Sequence, residues 1–519
     1  METVPTPEAL LTQLDRLDIK LWLDGERLRY SALPGALTPD LRALLQAHKS
    51  GLMVLLRNRQ SKNQLGIGVF TAPPSFVQRH FWSLQQLNPT DCVFNVPYAF
   101  HLQGKLDATF LRRSFDEIIR RHELLRTTLQ AIDGALMQVV APTGEVNMTV
   151  AALRDGPPAT RADEANRLIQ AELRSPFDLA RESCLRVRLL GLGEEEHILF
   201  LCLHNIICED GSLGALLKEL RVHYQAFLAA LPGQKPAPLP PLRMQYADYA
   251  RWQQSLLSTG METRLAYWRQ WFAKGEPLPW TPTFGKPAPA APTFRAGTVW
   301  RRFSPELTQQ LKRLSQRAAV TLFVTTLAAY ATLLYRYSGC TDVVVGGPAA
   351  NRSHWKLEPL IGSTLNIIAY RFDLAGNPDV LTLLARVRET VLAALTHQDV
   401  PFAAVAPLLE PDRKRSNPLF RTVLSFFEDT PHHQLRLPGV TVTFLEKITN
   451  REIRPDLFPV MWEEQMANGA LTGYWMYRED LFDADTMAQM LADYEALLTA
   501  IADDPAQTIA ALPLGQRVC

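Results

Sequence analysis

The chain has 519 residues, 47% hydrophobic and 21% charged, which is more apolar material than one small core uses and excludes wholesale disorder. Its 54 basic and 53 acidic residues leave a formal net charge of +1, excluding the global electrostatic footprint of a nucleic-acid binder. The six cysteines, at 92, 184, 202, 208, 340 and 519, contain no C-x-x-C pair, which argues against a disulfide framework and for a reducing compartment.

Residues 6 to 17 space Ala9, Leu10, Leu14 and Leu17 at helical intervals behind Thr6-Pro7-Glu8, where Thr caps and Pro suits a first turn. A short helix is therefore predicted to start the protein. IKLWLDGERLRY then alternates around Asp24-Gly25, a strong hairpin signal, and Thr38-Pro39-Asp40 opens a second helix through Leu41, Leu44 and Leu45. After Leu56 the polar, basic run RNRQSKNQ has the composition of a linker. The predicted division is a small α/β unit over 1–60 and a linker over 61–74.

From residue 75 onward, strand-like runs such as HILFLCLHNII and TDVVVGG alternate with long amphipathic helical stretches. LTQQLKRLSQRAAVTLFVTTLAAYATLLYRYS reads as one of these helices. The pattern predicts a mixed α/β fold. PGQKPAPLPPL and FGKPAPAAPTF flank a helical block, MQYADYARWQQSLLSTGMETRLAYWRQWF, which divides the remainder into lobes of 75–240 and 241–519. There is neither a basic-then-apolar leader nor an apolar run of membrane length, so the sequence predicts a cytoplasmic protein without a membrane partner.

Several segments, in order, resemble the core motifs of the condensation domains of nonribosomal peptide synthetases. They are SFVQRHFWSLQQLNPTDCVFNVPYAFHLQGKLD, RHELLRTTL, SPFDLARESCLRVRLL, MQYADYARWQ, DVVVGGPAANRS, IGSTLNIIAYR and HQDVPFAAVAPLLEPDRKRSNPLF. Separately, LDIKLWLDGERLRYSALPGALTPDLRALLQAHKSGLMVLLR resembles a TubC-type docking domain. The resemblance implies a chloramphenicol-acetyltransferase-like, two-lobed, V-shaped condensation fold behind a small docking domain. Nothing resembling an adenylation domain or a Ser-bearing carrier motif follows, so the expectation is a free-standing protein or an excised piece.

The site motif of that family reads His-His-x-x-x-Asp-Gly after a buried strand. Here the matching segment is His204-Asn205-Ile206-Ile207-Cys208-Glu209-Asp210-Gly211. In a gap-free register His204 takes the first His, Asn205 the second, Glu209 the Asp and Asp210 the Gly. An alternative register with one inserted residue restores Asp210-Gly211 as the Asp-Gly pair and requires a bulge. His204 and Asn205 are the candidate catalytic residues, and Asn hydrogen-bonds but does not usefully accept a proton, unlike an imidazole. The resemblance implies an ion pair between Glu209 or Asp210 and Arg352 that holds the shape of the site, with Gly211 beside it.

Cysteines in such runs are mostly small core residues, so no thiol mechanism is read into Cys208. Cys202, His204 and Cys208 lack paired-ligand spacing, and no metal is implied. In the docking segment Lys20, Arg27, Arg29 and Arg57 are placed to meet an acidic tail, and a hairpin edge accepts a partner strand.

The resemblance implies amide formation between a donor acyl or peptidyl thioester and an acceptor amine. Both would be carried on the phosphopantetheine of upstream and downstream peptidyl carrier proteins, with no cofactor bound directly. The docking domain would receive the C-terminal tail of an upstream synthetase protein. The altered motif leaves two other readings open: a degenerate domain kept for docking and recruitment, or one catalysing a non-amide reaction on a carrier-bound substrate.

Overall fold

The computed structural model describes residues 10, 14, 19–24, 27–31, 38–53, 69–153, 157–231, 236, 239–258, 261–273, 285–287, 289, 293–352, 355–401, 405, 421–427, 435–445, 452–464 and 469–514. They fall into two compact units, Met1–Thr71 with Val139–Pro142, and Ala72–Gln138 with Thr143–Cys519.

In the first unit, β1 (Lys20–Asp24) and β2 (Arg27–Ser31) pair antiparallel, Asp24 opposite Arg27, around the two-residue connection that Asp24-Gly25 predicts. Pro39–Ala47 is helical; Pro39 opens it and the Thr38 hydroxyl accepts from the Leu41 N–H at 3.3 Å. Its apolar stripe buries Leu41 and Leu45, which among the described residues pack with Leu10, Leu14, Ile19 and Leu52. The start of the first predicted helix at Thr6-Pro7-Glu8 lies outside the described residues. Lys20, Arg27 and Arg29 have their backbone in β1 and β2, but their side chains, and all of Arg57, lie outside the description.

After β3 (Phe70–Ala72) the chain builds the first half of the second unit around β4 (Asn95–Gly104). β5 (Thr127–Ile132) and β6 (Ala135–Val140) flank Asp133-Gly134, both at positive φ. β7 (Asn147–Ala152), β8 (Leu185–Gly191) and β9 (Glu196–His204) complete a five-stranded sheet whose outer member is a late strand, β14 (Val440–Phe444), in the order β14-β4-β9-β8-β7. β9 is central and buried along Ile198–His204, which explains its near-continuous apolar run. Helices Ala108–Arg121 and Asp210–Ala229 pack together. Glu219 on the second receives Arg121 Nε at 2.8 Å and His122 Nε2 at 3.0 Å, so the RHELLRTTL segment acts as a clamp.

The second half holds β10 (Ala296–Arg302), β11 (Asp342–Ala349), β12 (Asn366–Asp373), β13 (Ser425–Phe427), β15 (Leu457–Glu463) and β16 (Leu471–Arg478). The order β10-β16-β15-β13 continues into β11-β12 through bonds between Gly346 and the Thr422 to Leu424 segment. One face carries the large core, including Trp475, Tyr477 and Met461, against helices Pro305–Arg317, Leu322–Ser338 and Ala484–Asp503.

The first two of these helices correct the reading of 307–338 as one helix. They meet at 102°, because Ala319 takes a positive φ of 52° and Thr321 caps the second helix by accepting from the Val324 N–H. The block after Met244 is likewise two helices, Tyr246–Ser258 and Met261–Ala273. No single described helix is long and apolar enough to cross a membrane.

Candidate active site

β9 ends at His204, and the chain turns through Asn205 to Ile207 before the Asp210–Ala229 helix begins. The turn is pinned on both sides: His204 N–H donates to Cys184 O, Asn205 N–H to Phe94 O, and Ile207 N–H to His204 O. The strand-like reading of HILFLCLHNII therefore ends three residues early, where these bonds replace the ladder.

His204 is 4% exposed. The rings of Phe81, Phe94 and Phe177 surround it at centroid distances of 5.5, 6.1 and 5.9 Å. Its Nδ1 accepts the Ile206 N–H at 3.0 Å, which places the proton of the neutral ring on Nε2. Burial, helped by the Arg186 guanidinium, pushes its pKa down to about 3. Its geometry is that of a neutral group holding the turn rather than a proton acceptor. Asn205 is partly exposed, and among the described residues its side-chain amide has no hydrogen-bond partner.

Of the two carboxylates considered for Arg352, Glu209 is the one that pairs with it, through Arg352 Nε. Arg352 also donates to the carbonyl oxygens of Leu357, Leu360 and Gly362 and to Ser212 Oγ, the last two at 2.9 Å. Thr364 completes the shell, its N–H and Oγ1 reaching Glu209 at 3.3 and 3.1 Å. Burial raises the Glu209 carboxyl and the guanidinium opposes it. Gly211 is required by this approach, since a Cβ there would lie 2.7 Å from Arg352 Nε. The network thus ties the helix start to the 350–364 segment of the second half.

Asp210 lies next to this pair but outside it. Among the described residues its carboxylate has no hydrogen-bond or ion-pair partner, and burial together with the neighbouring Glu209 charge pushes its pKa up to about 7. Cys208 is buried, with Sγ 3.9 Å from Tyr98 Oη, and burial pushes its thiol up, leaving it a poor nucleophile. Sequence reasoning missed the aromatic groups here. Tyr98 and Tyr474 both have phenols raised by burial and by the Asp210 charge, Tyr474 up to about 12.

Residues 70–516 match the model of the condensation domain family, and residues 8–58 that of the TubC N-terminal docking domain. The chain belongs to the condensation domain family and carries an N-terminal docking domain. It is 36% identical over 444 residues to the chondramide synthase cmdD of Chondromyces crocatus, a match covering 85% of this chain and 11% of that synthase. It is 34% identical over 494 residues to the malpibaldin synthetase of Mortierella alpina, covering 94% of this chain and 9% of that one. The chain thus spans a small part of the curated relatives it matches.

Among solved structures, the X-domain from teicoplanin biosynthesis superposes with a TM-score of 0.74 at 28% identity, covering 85% of this chain and 97% of that one. The condensation domain of the monacolin K polyketide synthase MokA superposes at 0.72 with 20% identity, covering 85% and 99%. The fold is the two-lobed, chloramphenicol-acetyltransferase-like condensation fold.

Proposed function

We propose that this domain joins a carrier-bound donor acyl or peptidyl thioester to a carrier-bound acceptor amine within a nonribosomal peptide synthetase. The acceptor nitrogen attacks the thioester carbonyl, the C–S bond breaks, and the sulfur leaves with the proton that the nitrogen loses. Upstream and downstream carrier proteins present both groups on phosphopantetheine. The docking unit takes the C-terminal tail of an upstream synthetase protein, with Lys20, Arg27 and Arg29 meeting its acidic charges.

The observation that carries this reading is the Glu209–Arg352 network, which holds the turn bearing Asn205 in a chain of this family. Asn205 hydrogen-bonds the amine or the developing oxyanion, His204 positions it, and the rate comes from proximity and electrostatics rather than imidazole base catalysis. A second reading is favoured by Asn205 and Asp210 standing where the family has His and Gly, and by the likeness to an X-domain that is also known in complex with OxyB. In that reading the domain is a platform that recruits a tailoring enzyme to a carrier-bound peptide.

The test loads the cognate carrier proteins and follows product by intact-protein mass spectrometry. An amide formed by wild type and slowed about 10- to 100-fold by Asn205→Ala supports condensation. A new product that is not an amide redirects the chemistry. An inert wild type that gains activity in Asn205→His supports the platform.

A further inference from the structure

Phe177 and Arg186, both from the segment SPFDLARESCLRVRLL, meet beside His204. Arg186 lies on β8 opposite Cys202 of β9, and His204 follows two residues along β9, opposite Asn95 of β4. Residues two apart on a strand face the same way, so Arg186, His204 and Asn95 share one face of the sheet. The helix Pro158–Leu173 packs against β4 and β9. A helix end leaves carbonyls without partners inside the helix, and here two buried side chains take up those at its end and just beyond it. Asn95 Nδ2 donates to Leu173 O and Ser175 O, both at 2.9 Å, and Arg186 donates to Ser175 O at 3.0 Å and to Pro176 O at 2.8 Å. Gln85 Nε2 adds a bond to Phe177 O. The chain is thereby held up to Phe177, whose ring meets the His204 ring edge-on at 5.9 Å.

Arg186 also holds that ring directly. Its guanidinium carbon is 3.9 Å from the Phe177 centroid. The edges of the same guanidinium bond Glu182 through Nε at 3.1 Å and Nη2 at 2.9 Å, and Glu172 through Nη1 at 3.4 Å. One planar fork thus stacks on an aromatic face while it satisfies two carboxylates and two carbonyls, which a Lys ammonium with its three donors cannot do. Arg186 and Phe177 are both buried, so solvent does little to loosen the arrangement.

We propose that Arg186 is a positioning residue, which sets Phe177 against His204 and, through that ring, the turn that presents Asn205. The inference rests on the condensation reading, in which Asn205 touches the reacting groups. The path is contiguous: the Arg186 guanidinium stacks on Phe177, Phe177 packs on His204, and His204 Nδ1 accepts the Ile206 N–H, so the residues on both sides of Asn205 are tied to one ring. Misplacing a group that orients reacting atoms by about 1 Å costs up to about 100-fold in rate, so the support acts on turnover rather than on carrier binding.

The experiment compares full-chain wild type with Arg186→Lys, Phe177→Leu and the double variant on loaded cognate carrier proteins, reading kcat and KM, with circular dichroism showing each variant folded at the assay temperature. Each single variant is expected to lower kcat about tenfold with KM for the carriers unchanged, and the double variant to lose little more, because both act through one ring contact. A residue that only stabilises the fold would lower the unfolding midpoint and leave the kcat of the folded protein as it was. Wild-type kcat in the single variants, or losses that multiply in the double variant, overturn the proposal. If Arg186→Lys does not fold, Phe177→Leu decides by the same kcat criterion. A second readout needs no turnover: selective 15N-asparagine labelling follows the Asn205 backbone amide, which donates to Phe94 O and is identified by its loss in Asn205→Ala. That signal is expected to shift in both single variants, and an unmoved signal overturns the positioning role. An inert wild type whose Asn205 signal still moves in the variants keeps the positioning and loses only the condensation reading.

Discussion

Asp210 gives the most demanding physical prediction. Its carboxyl is raised from an ordinary value of 3.8 to about 7, by burial first and the Glu209 charge second. Below pH 4 the folded and unfolded chains both hold the proton and the group contributes nothing. Between about pH 4 and 7 the unfolded chain ionises while the folded one does not, so stability falls as pH rises, and above pH 7 the full penalty stands. A gap of about three on the pH scale, at about 1.4 kcal/mol each, sets a ceiling of about 4 kcal/mol. Because Asp210 keeps some exposure, about 2 kcal/mol is the expected effect after solvent screening. Asp210→Asn should therefore match wild type at pH 4 and become more stable by about 2 kcal/mol at pH 8, measured by urea unfolding across that range. A stability difference that is flat with pH, or that grows toward acid, would refute the assignment of a raised carboxyl.

Arg352→Met leaves Glu209 buried without its partner and strips donors from three carbonyls, so a loss of about 3–5 kcal/mol in urea unfolding is expected. Adding Glu209→Gln to that variant should recover part of the loss, and a strictly additive double mutant would contradict direct coupling. His204 should show no NMR titration between pH 5 and 8, given a pKa of about 3, and an inflection near 6.5 would contradict its burial. His204→Leu should cost about 1–3 kcal/mol because it orphans the Ile206 N–H.

The parts of the fold and of the site that were legible in the sequence are local. The apolar run into His204 marks a buried central strand, and the Thr-Pro-Asp signal at residue 38 marks a helix start, because strand burial and capping are written within a few residues. Arg352 was reachable only through the family resemblance, since nothing local in PAANRS says that it meets a carboxylate 143 residues earlier. β14 was not legible as a partner of β4: VTVTF alternates like any half-buried strand and carries no mark of which edge it will join. The long amphipathic reading of 307–338 failed because helical periodicity continues smoothly through a break made by one residue at positive φ and one cap. Nothing local marks which sheet face Trp300, Trp462 and Tyr474 occupy, and only strand register separates Tyr474 from its buried neighbour Trp475.

The motif changes also make sense together rather than as independent losses. Glu209 is one methylene longer than the Asp of the family, and it still reaches Arg352 and Thr364, so the added length is absorbed within the pair. Arg352 in turn lies where any side chain at position 211 would begin, and Gly211 is the residue that leaves that space. With Glu209 committed to the ion pair and Gly211 to clearance, Asp210 is the carboxylate of this turn that has no partner among the described residues. A buried ion pair with one partner missing is among the costlier errors a fold can carry, so stability alone keeps this pairing whether the domain condenses or recruits. The pairing therefore speaks for the shape of the turn, and the Asn205 variants are what decide between condensation and recruitment.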